Sequence, residues 1–290
     1  MASHSPIIDT QSSSNDDGGS LTGIPLTSLF TAAARALESS LPEDKRRFND
    51  PYASKLAQPI MKKMTEASMN TEEDKDNLAK AMLMYKYVQD RTVYFDGAIQ
   101  EYLVQHPECK QIVVLGSGMD TRAYRMGLSA DMILFEIDYA HVHNYKTVIL
   151  KDDEPSCQRI VVKADMTKDD LRVLLTAANN DNLGTRPGFM FDSTQATLWL
   201  AEGLMNYIPE AAVGPFVSCM NGLSAKESGF IFDGWKSRDR FSALVSANYV
   251  SYMASVAGDT LDAMNNLGWQ KYHTIDYAAT GAEFNTMLKQ

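Results

Sequence analysis

Hydrophobic and polar positions recur in two rhythms along this chain, and the change of rhythm falls near Pro107. Between Leu26 and Ser39, the residues Leu26, Leu29, Phe30, Ala33 and Leu37 share a face at helical spacing and alanine is abundant, which predicts a helix ended by Pro42. Asn49 or Asp50, with Pro51 next, is suited to start a second helix bearing Leu56, Ile60, Met61 and Met64. Residues 65–77 are polar and acidic and read as a surface loop. A long helical stretch follows from Leu78 to Gln105, interrupted at Arg91 and Asp96. Read by its pattern alone, Arg91 is a solvated helix arginine.

After Pro107 short β-branched runs alternate with helical patterns. Strands are expected at 111–115, 132–138, 159–163, 196–201 and 229–234, and helices at 120–127, 139–150, 167–178 and 209–223. That alternation predicts an α/β fold with a doubly wound, mostly parallel sheet. Residues 179–195 form a longer connection, with a short extra strand segment at 189–191. Helices near 237–255 and 259–266 follow, and Gly268–Tyr277 reads as an edge strand. The expected organisation is a disordered tail over 1–23, a helical cap over 24–108 and a Rossmann-like core over 109–290, with cap and core forming one integrated domain.

The chemistry gathers where strands end, because ligands of an open parallel sheet bind beyond the carboxyl ends of its strands. The first run breaks into Gly116-Ser117-Gly118, which lets the backbone bend and a ligand approach it closely. Asp138 closes the next run, 20 residues after Gly118, where a carboxylate can accept hydrogen bonds from ribose hydroxyls. The third glycine of a dinucleotide fingerprint is missing, so a nucleoside ligand without phosphates suits the loop better than a pyrophosphate. Later ends bring Asp165-Met166, then Glu202-Gly203 with Asn206 and Tyr207, then Asp233. Helix capping accounts for Asp120 and Asp165, but poorly for Glu202, since Pro209 is the better helix start. Five acids at five strand ends predict a polar cleft.

Composition narrows the partners. A net charge of -10 argues against a nucleic-acid backbone or an anionic membrane, and does not oppose a cationic sulfonium. Cys109, Cys157 and Cys219 lie far apart with no Cys-x-x-Cys, so they read as packed thiols in a reducing, cytoplasmic setting. The first 23 residues lack the basic and apolar regions of a signal peptide. No apolar run approaches the roughly 18–20 residues that span a bilayer. The five histidines show no metal-ligand spacing, so no metal is expected, and Ser193-Thr194 lacks the Gly-x-Ser-x-Gly elbow of a hydrolase.

Taken in order, several motifs resemble the leucine carboxyl methyltransferase family, a branch of the class I S-adenosylmethionine-dependent methyltransferases. They are Ala33–Ser39 with Asn49–Ala53, Arg91–Asp96, Leu115–Arg122, Phe135–Asp138 and Ala201–Pro209, and the resemblance spans residues 26–277. It implies an enzyme in which Arg91 holds the methionine carboxylate of S-adenosyl-L-methionine and Gly116 and Gly118 let the methionyl part pass. Asp138 would bind the ribose, Asp165 and Met166 would meet the adenine, Glu202 would lie by the methionine amino group, and Tyr207 would face the acceptor. Met166 replaces the family's usual leucine, and Asn206 stands where a methyl-bearing residue is common.

The expected activity is O-methylation of a small-molecule carboxylate or hydroxyl. A carboxylate is ionised near pH 7 and needs no general base, whereas a phenol would pass its proton to Tyr207 or an acid. The alternatives are a protein C-terminal carboxyl methyltransferase, which needs a deep groove for an extended tail, an NAD-dependent oxidoreductase, and a fold that keeps the cofactor site without catalysis. The Arg91, Asp165 and Glu202 set, together with the missing glycine, favours methyl transfer over hydride transfer.

Overall fold

The strands whose sequences are apolar on both faces lie in the middle of the molecule. In the computed structural model, which describes residues 24–66, 71–166, 168–180, 190–237, 254–277 and 281–290, these are β1 (Gln111–Leu115), β2 (Ile133–Asp138), β4 (Thr197–Ala201) and β5 (Gly229–Trp235), buried along their whole length. With β3 (Gln158–Lys163) they form a parallel sheet. β6 (Trp269–Tyr277) and β7 (Ala282–Lys289) extend it antiparallel, giving the order β3-β2-β1-β4-β5-β7-β6. The winding reverses between β1 and β4, so a crevice opens at their carboxyl ends.

Strand side chains alternate between two cores. Ile112, Val114, Leu134, Leu198, Leu200 and Ile231 face a cluster shared with the N-terminal helices, while Val113, Phe135, Trp199, Phe230 and Phe232 face the other side. That second core is closed by α7 (Leu171–Asn180), α8 (Glu210–Gly222) and α9 (Ala257–Asn266). The first is closed by α1 (Ile24–Ser39), α2 (Ala53–Leu56), α4 (Glu72–Gln105) and α6 (Ala140–Ile149). α1 packs across α4, and α4 packs on β5 and β7, so the N-terminal helices share one core with the sheet. No described helix is long and apolar enough to cross a membrane.

Several expectations are corrected. The helix expected from Pro51 onward is two: Pro59 has no N–H to continue a helix, and α2 gives way to α3 (Gln58–Glu66). The loop expected over 65–77 is shorter, because α3 runs to Glu66 and α4 starts at Glu72. α4 is also unbroken for 34 residues, since Arg91 and Asp96 sit inside it with buried partners rather than interrupting it. The helix expected at 120–127 shrinks to α5 (Arg122–Arg125), beyond which Gly127 takes a left-handed φ of 61°. Met190 and Phe191 form no strand; Phe191 packs on Phe135 and Trp199 instead. β7 was not expected at all, because Glu283, Asn285 and Thr286 give it no apolar alternation. They are nevertheless buried, with Asn285 bonded to Glu283 and Thr274, and Thr286 to Tyr94. Most of the helix expected near 237–255, and the whole tail over 1–23, lie outside the described residues.

Candidate functional site

The loop after β1 is held by the acid that ends β2. Gly118 N donates to Asp138 Oδ2 at 2.6 Å, Tyr139 N donates to Asp138 Oδ1 at 2.7 Å, and Ser117 N donates to Ile137 O at 3.0 Å. Gly116 and Gly118 have φ of 63° and 46°, conformations that L side chains rarely adopt. Helix α1 lies directly over this loop: a Cβ on Gly118 would sit 2.9 Å from Ser28 Cβ, and Arg35 Nη2 donates to Met119 O at 2.5 Å. A Gly118→Ala substitution is therefore expected to destabilise the chain by about 1–2 kcal/mol through φ alone. Urea unfolding checks this, and adding Ser28→Gly should recover only the clash.

Burial raises the Asp138 carboxyl above its usual value, and the Gly118 and Tyr139 N–H groups partly offset that. Each oxygen accepts one backbone N–H and keeps a second lone pair, so ribose hydroxyls can still donate to it. Asp165 follows β3 and sits beside this acid, with Tyr139 Oη donating to Asp165 Oδ1 at 3.4 Å. Lys168 pairs with Asp165 Oδ2 at 2.8 Å, and Met166 is half-buried next to it.

Across the crevice stands Arg91, one helical turn after Tyr87 on α4. It is buried, not solvated as its sequence pattern predicted. Its Nε donates to Glu202 Oε1 at 3.0 Å and its Nη1 to Asp233 Oδ2 at 3.1 Å. Asp233, wholly buried at the end of β5, also accepts from Tyr87 Oη at 2.6 Å and Gly203 N at 2.5 Å. Gly203 has a φ of 70°, which L side chains rarely adopt, and a Cβ there would lie 3.0 Å from Arg91 Nη1, so any other residue would be strained and would press on the guanidinium. A Cβ on Gly116 would in turn meet Leu204 Cδ1 at 3.1 Å, which places the turn after β4 against the glycine loop.

Arg122 joins the two halves. Its guanidinium donates to Asp96 Oδ1 at 2.8 Å and Asp120 Oδ2 at 2.5 Å, and pairs with Glu202 Oε2 at 2.7 Å. Arg125 adds a bond to Asp96 Oδ2 at 2.6 Å. Burial alone would raise the Glu202 carboxyl, but Arg122 and Arg91 hold it below its ordinary value. Asp120 is lowered as well: Arg122 overcomes burial. These acids therefore stay ionised and are weak bases.

The structure thus brings Gly116, Gly118, Asp138, Asp165 and Met166 to one side of the crevice and Arg91 and Glu202 to the other. Tyr207 is half-buried on a 3-10 turn, Met205–Tyr207, just beyond Glu202. Asn206 on that turn is a structural peg, since its Oδ1 accepts from Trp235 N at 3.1 Å and its O accepts from Ala254 N at 2.6 Å. Sequence reasoning gave no role to Arg122, Asp96 or Tyr87. The i, i+4 spacing of Tyr87 and Arg91 was the available signal, but their partners lie over a hundred residues away. Inside the loop, Ser117 Oγ is buried without a hydrogen-bond partner among the described residues. An orphaned hydroxyl, two left-handed glycines and an acid with spare lone pairs fit a nucleoside ligand lying over the backbone.

Comparison with known proteins agrees. The leucine carboxyl methyltransferase family profile matches residues 28–220. A protein of Mycolicibacterium vanbaalenii named as an S-adenosyl-L-methionine-dependent methyltransferase is 31% identical over 225 residues, covering 74% of this chain and 68% of its own length. One of Saccharopolyspora erythraea with the same name is 31% identical over 220 residues, covering 74% and 69%. Among solved structures, a DUF574 family protein from Streptomyces avermitilis superposes with a TM-score of 0.55 at 11% identity, over 90% of this chain and 97% of that one. A methyltransferase from Thermobifida fusca reaches 0.52 at 12% identity, over 76% and 90%. The structural likenesses establish the fold, the sequence matches establish the kinship, and the chain belongs to the leucine carboxyl methyltransferase family of S-adenosyl-L-methionine-dependent enzymes.

Proposed function

We infer that this chain methylates an oxygen of a small-molecule acceptor, and that the preferred oxygen is a carboxylate, in a cytoplasmic setting. The reading rests on one arrangement: a glycine loop held by Asp138 on one side of the crevice, and Arg91 fixed between Glu202 and Asp233 on the other. Asp138 would take the ribose hydroxyls, Asp165 and Met166 the adenine, Arg91 the methionine carboxylate and Glu202 the amino group. Bound S-adenosylmethionine supplies a sulfonium methyl open to in-line displacement. The protein's part is to orient the acceptor against it, and such alignment can account for several orders of magnitude in rate. Tyr207, one turn beyond Glu202, is the residue proposed to touch the acceptor. A hydroxyl acceptor must lose its proton, but Glu202 and Asp120 are held ionised by arginines and accept protons poorly. An acceptor carboxylate arrives without that proton, which is why it is favoured.

The test is calorimetric titration with S-adenosylmethionine, with NAD as the comparison. Saturable binding of the first alone is expected. Asp138→Ala should weaken it more than tenfold, the loss of hydrogen bonds to a charged acceptor being worth about 1.5–3 kcal/mol. Unchanged affinity in that variant, or binding of NAD alone, would overturn the assignment. An acceptor screen with small carboxylic acids, phenols and carboxyl-terminal peptides then separates the substrate classes.

A further inference from the structure

At the opposite end of the sheet from the crevice, three metal-ligating side chains converge from separate parts of the chain. His106 follows α4, Glu108 precedes β1 and Glu227 precedes β5, and their donor atoms all lie within 4.8 Å of one another. His106 Nδ1 and Glu108 Oε1 are 3.5 Å apart. Neither glutamate has a lysine or arginine ion-pair partner among the described residues. Two flanking lysines are engaged elsewhere: Lys110 pairs with Asp131 at 3.0 Å, and Lys289 Nζ donates to the carbonyls of Asn221 and Ser224. Two exposed carboxylates thus converge on one imidazole.

The backbone that presents Glu227 is also unusual. It is the one non-glycine residue with positive φ among those described, at 67°, where glycine would be relaxed. Tyr102 Oη donates to Glu227 O at 2.7 Å and Glu227 N donates to Lys289 O at 2.9 Å, which holds the turn. The His106 ring lies against Tyr102, with centroids 4.6 Å apart, and borders a surface groove lined also by Glu101, Gln105 and Tyr272.

We propose that His106, Glu108 and Glu227 form a binding site for a divalent first-row transition-metal ion, remote from the methyl-transfer crevice. Metal–ligand bonds to imidazole and carboxylate run about 2.0–2.2 Å, so donors span up to about 4 Å around an ion, and closing the remainder takes a rotation of the exposed Glu108. One nitrogen and two carboxylate oxygens suit zinc better than magnesium, which keeps its waters and favours all-oxygen sites. The two negative charges balance a dication, and both glutamates are exposed, so water can complete the coordination. The ion would clip the end of α4 to the start of β5.

The probe is Zn2+, titrated into the full-length protein under reducing conditions, with Mg2+ as the comparison. One equivalent of Zn2+ should bind saturably and raise the melting temperature, while Mg2+ does neither. His106→Ala and Glu227→Gly should each weaken binding at least tenfold. Glu227→Gly also relieves the left-handed backbone, so its metal-free melting temperature should not fall, and lost binding cannot then be blamed on lost folding. Cys219→Ser, which removes the partly exposed thiol, should leave binding unchanged. No saturable uptake of Zn2+, uptake that survives Glu227→Gly, or uptake abolished by Cys219→Ser would overturn the site.

Discussion

Replacing Arg122 with leucine is expected to cost about 3–5 kcal/mol of folding stability, the range for removing one member of a buried ion-pair network. The side chain is 3% exposed and serves Asp96, Asp120 and Glu202 together. Without it, Asp96 keeps Arg125 and Glu202 keeps Arg91. Among the described residues Asp120 keeps one hydrogen bond, from the N–H of residue 122 at 2.6 Å from its Oδ1, and the longer-range charges of Lys146 and Arg125. The stranded charge is therefore mainly that of Asp120. Adding Asp120→Asn should recover a substantial part of the loss, because the double variant buries no unpaired carboxylate at that position. Urea denaturation of the single and double variants measures both numbers. A single-variant loss below about 1 kcal/mol, the range of exposed pairs, would mean that these charges are solvated in solution.

Acidification from pH 7 to pH 5 should remove about 2 kcal/mol, before the carboxylates titrate appreciably, and His143 is the cause. Its ring is buried on α6, and burial lowers its pKa from 6.5 to about 4 against the opposing pull of Glu136, with Lys146 and Arg159 lowering it further. The unfolded chain binds a proton near pH 6.5 while the folded chain refuses it until about 4. Stability therefore falls as pH drops through that interval and levels off below it. Glu202, Asp96 and Asp50, lowered against burial by their arginines, act in the same direction but below their usual values of 3.8–4.5. Asp138, raised by burial, acts oppositely and loses stability as pH rises from 3.8. Unfolding midpoints at pH 7 and pH 5 read the His143 contribution, which His143→Leu should flatten. An equal slope in that variant would assign the pH dependence to another group.

Much of this architecture was legible in the chain. β1, β2, β4 and β5 are continuous apolar runs because both faces of each strand are covered, and a run of that kind announces a buried parallel strand wherever it occurs. The groups that line the crevice were legible for a related reason. Strand ends in such a sheet point the same way, so the residues after Leu115, Asp138, Lys163 and Ala201 come together whatever the loops between them do. Ala282–Lys289 was not legible, since its polar side chains are buried only because β5 and β6 flank it and Asn285, Thr286 and Glu283 find partners there.

The sequence by itself determined the fold class, the glycine loop and the acids of the crevice, because these follow from local pattern and from the polarity of parallel strands. Only the tertiary structure decided which charges meet. Arg91 looked like a solvated helix residue until α4 was laid across the ends of β4 and β5, where Glu202 and Asp233 are its partners. Arg122 carried no assigned role until Asp96 reached it from α4. Four strands, β1 to β4, lie between His106 and Glu227 along the chain, yet the two meet at the far end of the sheet. Charge pairing acts over a few ångströms of space and is blind to separation along the chain, so the spacing of Tyr87 and Arg91 could mark a shared face but not name the partners on it.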